Sequence, residues 1–144
     1  DKAHVAADAD TGLVERPDVT PGNVHDGRAG GAVVPDNPGA VYADSAYRGA
    51  AFASAVTGRG GEPMVVATHF WAREGDAAAQ AKLLARNAAI HRIRGRVETI
   101  FGTWKRSYGL RRMRWRGLAK AALQGHLTAI ACNLRRGLSL MRVA

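Results

Sequence analysis

Two carboxylates and a run of cations are the residues here best suited to do chemistry. Glu98 is the only acid in positions 77–144, a stretch with 15 Lys or Arg and a formal charge of +14. The surrounding cations stabilise its negative charge. A carboxylate in such a field suits a metal ion held beside a polyanion. Asp44 closes the short apolar run AVYAD at 40–44, and a carboxylate at a strand end is well placed to share a metal. Two or more carboxylates suit Mg²⁺, a hard cation that prefers oxygen. Two such ions roughly 4 Å apart can activate a hydroxyl and stabilise the leaving oxygen at a phosphodiester. The plainer role for Glu98 is an i, i+4 pair with Arg94, worth about 0.2–0.5 kcal/mol. That pair explains why one acid is tolerated. It does not explain the unpaired cations, whose mutual repulsion opposes folding unless a polyanion is the partner.

The periodicity around Glu98 is helical. Ile90, Ile93, Val97, Phe101 and Trp104 fall on one apolar face that should pack on a sheet. The neighbouring stripe is His91, Arg94, Glu98 and Lys105, which predicts Glu98 at the edge of the core. Trp104 belongs to the core by this pattern, whereas Trp115, between Arg114 and Arg116, suits packing or nucleic-acid contact equally.

The rest of the chain must position these groups. Residues 2–8 and 13–19 read as a β-hairpin around the turn chemistry of DADTG. Pro17 puts the second strand at an edge or at its own end. Asp26 is a candidate cap for a short helix to about 34. Strands follow at 40–44 and 63–68, with a helix over 47–57 between them. From Asp76 the pattern is helical: 76–91, about 92–107, and about 117–139, with the basic connection RRMRWR at 111–116. The order predicts a mixed α/β fold in one domain, with residues 1–75 holding the hairpin, strands and short helices and 76–144 the basic helical part.

Charge is unevenly spread. Residues 1–71 carry 5 basic and 9 acidic residues, and 72–144 carry 16 basic and 3 acidic. Seventeen of the 21 cations are Arg, whose planar fork grips phosphate at two points. This asymmetry points to a nucleic-acid partner. The single cysteine, Cys132, sits in an apolar helical run and suits a reducing cytosol. No signal peptide or long apolar span suggests a membrane. The five His and one Cys lack zinc-ligand spacing, and no phosphate-binding glycine loop is present. His25, beside Asp26, suits a turn role better than a place in a site.

The segments KAHVAADADTGLV, VTPGNVHD, VYADSAYRG and the long run from RIRGRVETIFGTWKRSYGLRRMRWRGLAK to ACNLRR together resemble the C-terminal part of DDE transposases. The likeness is to insertion-sequence enzymes of the IS-five type, and it covers nearly the whole chain in order. It implies an RNase H-like mixed sheet with flanking helices, followed by a helical C-terminal segment. It also implies a two-metal Mg²⁺ site (with Mn²⁺ as a substitute) for DNA strand cleavage and strand transfer. The second and third acids of the triad fall on Asp44 and Glu98. The family's Y-x2-R-x3-E-x6-K signature is matched by Arg94, Glu98 and Lys105, with His91 in place of Tyr. His91, Arg94, Lys105, Arg106, Arg111, Arg112, Arg114 and Arg116 are then the expected DNA-binding side chains. Transposon ends and target DNA are the implied partners, with a homo-oligomer on DNA and a bacterial, cytoplasmic, nucleoid-associated location.

None of Asp8, Asp10 or Asp26 matches the family's first acid. The resemblance places that acid and the first strand upstream of the KAHVA strand, so the chain alone is expected not to catalyse transposition. The alternative expectation is a non-catalytic basic nucleic-acid-binding module in which Glu98 only neutralises neighbouring Arg.

Overall fold

The computed structural model describes residues 1–68 and 76–143. His69 and Trp71 lie outside them. The chain divides into two compact units, one of residues 1–25 with 96–144 and one of residues 26–95.

In the first unit, β1 (Lys2–Ala7) and β2 (Val14–Thr20) form the expected antiparallel hairpin. The turn is held by Asp8, whose Oδ1 accepts from the Thr11 hydroxyl and backbone N–H and from the Asp10 N–H. Gly12 takes φ +71°, a left-handed backbone that favours glycine. The Thr11 hydroxyl bond is the main reason the Asp8 carboxyl is held below its usual range. Val14, Ile100, Trp104 and Ala129 form the unit's core, with Val5, Phe101, Tyr108 and Cys132 against it.

The helix α4 (Leu118–Val143) docks on β2 through a specific pair of bonds. Asn133 Oδ1 accepts from the Val14 N–H at 2.8 Å, and its Nδ2 donates to the Val14 carbonyl at 2.7 Å. The amide thus satisfies a strand residue that lacks a second neighbouring strand among the described residues. No helix among the described residues is long and apolar enough to cross a membrane.

In the second unit, β3 (Ala40–Ala43) and β4 (Glu62–Val65) run parallel, joined through α2 (Ala50–Thr57). Their core is Val34, Ala43, Phe52 and Val56. The helix α1 (Asp26–Val33) comes close enough to the Ser45–Tyr47 turn that a Cβ on Gly30 would meet the Tyr47 ring at 2.4 Å. Arg59 donates to the Gly31 and Val34 carbonyls at the end of α1, satisfying acceptors that the helix leaves open.

Three expectations need correction. The predicted helices 76–91 and 92–107 are one helix, α3 (Ala77–Ser107). No proline interrupts the stretch, and Gly95 and Gly102 each cost only about 1 kcal/mol in a helix. Asp76 caps its start, accepting from the Ala79 N–H at 3.0 Å. Gly109 at φ +69° ends it, with the Leu110 N–H on the Trp104 carbonyl. The predicted helix 47–57 divides into a 3-10 turn at Ser45–Tyr47 and α2, parted at Gly49. Finally, the described strands form two separate pairs, not one mixed sheet.

Candidate functional site

Asp44 sits immediately after β3, where a strand-end acid was expected. Its backbone is extended, and Oδ1 accepts from the Ala46 N–H at 2.8 Å, capping the Ser45–Tyr47 turn. That cap fixes the side chain and leaves Oδ2 to face Arg94 of α3 at 3.2 Å. The Arg94 side chain is the more enclosed partner, at 18% exposure against 40% for Asp44. Asp44 and Arg94, 50 positions apart in sequence, therefore meet within one unit.

Tyr47 supports this arrangement. Its ring packs against Phe52 at a centroid distance of 5.3 Å and lies over Gly30. Burial pushes its phenol up to about 12; the Asp26 and Asp44 carboxylates add to the shift and Arg94 opposes it. Tyr47 lies inside the VYADSAYRG segment, in which the sequence singled out only Asp44.

Other elements hold α3 within the same unit. Asn87 takes the Ala67 N–H on Oδ1 at 3.0 Å and returns Nδ2 to its carbonyl at 2.7 Å. Arg86 donates to the Val65 carbonyl. His91 is exposed on α3.

Glu98 lies one helical turn beyond Arg94 on α3, in the other unit. It is exposed and not at the core edge. The apolar face runs through Ile90, Ile93, Val97, Ile100 and Trp104; Ile90, Ile100 and Trp104 are buried, whereas Phe101 is half-buried. Reading Ile100 in place of Phe101 turns the stripe away from Glu98 and leaves the acid toward solvent. Trp104 is core as predicted, at 1% exposure. Lys105, Arg106, Arg111, Arg112, Arg114 and Arg116 are all exposed. Arg96 approaches Asp10 at 4.0 Å between two exposed side chains, a pairing of little energetic weight.

Residues 2–134 match the family described as the transposase DDE domain. The chain belongs to that family. A search of curated proteins and a search of solved structures each found no match. The mixed α/β architecture of this transposase domain is compatible with an RNase H-like fold.

DDE transposases generally use a divalent metal. Asp44 and Glu98 carry carboxylate oxygens, the donor type a hard divalent cation prefers, and Asp44 Oδ2 is met by the Arg94 guanidinium. Among the described residues, no group of three His, Cys, Asp or Glu side chains is placed to hold a metal.

Proposed function

We propose that this transposase domain is the C-terminal part of an IS-five-type catalytic domain that cuts and joins DNA strands with Mg²⁺. Asp44 and Glu98 would be two of its three metal-binding carboxylates. The cation would activate the attacking hydroxyl and stabilise the leaving oxygen of a phosphodiester. The protein's own part is to fix those carboxylates and to bind phosphate. The Ala46 N–H on its carboxylate and the Tyr47 N–H on its carbonyl hold Asp44 in place. Arg94 would neutralise it and help position a DNA-end phosphate. His91, Lys105, Arg106, Arg111, Arg112, Arg114 and Arg116 are exposed cations and donors suited to the rest of the backbone.

The 3.2 Å pairing of Asp44 with Arg94 carries this reading. It joins the strand-end acid to α3 within one unit. Among the described acids, Asp8 is committed to its turn by three hydrogen bonds. The domain by itself is proposed to bind DNA ends, as a homo-oligomer, without catalysing transfer.

In the parent enzyme, Asp44→Ala or Glu98→Ala should abolish strand transfer while DNA-end binding stays near the unsubstituted level. Loss of binding with transfer per bound complex preserved would refute these roles. Robust strand transfer by the 144-residue chain with Mg²⁺ would refute its dependence on a further acid. The exposure of Glu98 favours a second reading, a basic DNA-binding module without chemistry. Under that reading both substitutions leave the parent's strand transfer intact. Salt dependence does not separate the two, because both predict a steep fall of affinity with salt.

A further inference from the structure

Between the 108–116 connection and α4 lies an open groove of about 220 Å³. That is below the roughly 300–1,000 Å³ of a site for a drug-sized ligand, and it suits one flat ring system. Trp115 forms one wall and stays 46% exposed, while Leu127 and Tyr108 add apolar surface. Arg114 stands at the rim, and Arg111, Arg112 and Arg116 are its exposed neighbours.

The floor is polar and buried. Gln124 is 7% exposed, and its Oε1 accepts from the Arg114 backbone N–H at 2.9 Å. Its amide N–H pair has no hydrogen-bond partner among the described residues and keeps access to solvent beside the groove. Thr128 is 6% exposed and donates its hydroxyl hydrogen to the Gln124 carbonyl at 2.8 Å, so its remaining lone pairs can only accept. An aromatic wall, one donor group and one acceptor on the floor, and a cationic rim together match a nucleobase with its phosphate. The base supplies a flat face for Trp115 and an edge carrying both acceptors and donors.

We propose that this groove is a binding site for one unstacked base of single-stranded DNA, stacked on Trp115 with its edge toward Gln124 and Thr128. The site rests on the DNA-binding reading above and adds a contact to the base itself, which the phosphate-gripping cations do not supply.

The test is fluorescence anisotropy of the full chain with a short oligothymidylate and with an abasic strand of equal length. The unsubstituted chain should prefer the strand with bases by about 5- to 150-fold, the equivalent of ~1–3 kcal/mol for one stacked base. Trp115→Ala should erase that preference and leave abasic affinity unchanged. Trp115→Phe should keep most of the preference. Arg116→Ala should weaken both strands alike. Equal binding of the two strands by the unsubstituted chain overturns the base site while leaving the DNA-binding reading standing. Failure to bind either strand overturns both. A preference that survives Trp115→Ala, with a folded far-ultraviolet circular dichroism spectrum, also overturns the site.

Discussion

Asn133 is expected to hold α4 to the hairpin, and the cost of removing it can be worked from its two bonds. Val14 is 6% exposed, and its N–H and carbonyl meet the Asn133 amide at 2.8 and 2.7 Å. A typical hydrogen bond contributes about 0.5–1.5 kcal/mol net, and a buried group left unpaired costs about 1–3 kcal/mol. Asn133→Ala strands two such groups, partly relieved by water at the vacated site. The expected loss is therefore about 2–4 kcal/mol, a large share of the 5–15 kcal/mol typical of a folded protein. Asn133→Asp should lose about as much, because it keeps the acceptor for Val14 N–H but sets a second acceptor against the carbonyl. Urea unfolding followed by tryptophan fluorescence is the assay, since Trp104 is 1% exposed and packs in the same core. At a slope of about 2 kcal/mol per molar, the midpoint should fall by about 1–2 M. A loss below about 0.5 kcal/mol, the range of ordinary surface substitutions, would refute the claim that this amide carries the docking.

Three further outcomes follow from the geometry. Gly30→Ala sets a methyl 2.4 Å from the Tyr47 ring and should cost about 1–3 kcal/mol by overpacking; an unchanged thermal midpoint would contradict the close approach. The Asp8 carboxyl is lowered chiefly by the Thr11 hydroxyl, so its contribution is present above the unfolded value near 3.9 and lost as pH falls through the lower folded value. Asp8→Asn should therefore destabilise at neutral pH and close the gap with the unsubstituted protein in acid, as read by paired melts; a gap independent of pH would contradict this. Tyr47 is raised from 10 to about 12, so its neutral form is favoured by folding, and that stability is lost as pH rises through this window. Phenolate absorbance should show a late-ionising step that Tyr47→Phe removes; a titration that Tyr47→Phe leaves unchanged at its alkaline end would argue against it.

Local rules account for much of what was legible in advance. The hairpin follows from DADTG, and Asp44 at the end of β3 from an apolar run closed by a carboxylate. Trp104 in the core follows from its place on an apolar stripe. The misplacement of Glu98 came from choosing Phe101 over Ile100 as a stripe member. The two residues are adjacent, so both are compatible with a helical period, and only packing decides between them. The separation of α3 into two helices failed for a related reason: periodicity locates a face but does not mark an end unless a breaker or cap is present.

The sequence by itself determined the charge field, the acids and cations with chemical potential, and membership in the transposase DDE domain family. These are properties of residue types and their order. Only the tertiary structure decided that Asp44 Oδ2 meets Arg94, that Tyr47 is clamped between Gly30 and Phe52, and that Asn133 replaces a missing strand neighbour for Val14. Those contacts join positions between 5 and 119 apart. Hydrogen bonds and close packing form only where the fold brings such positions within about 3–4 Å, and no periodicity along the chain records that.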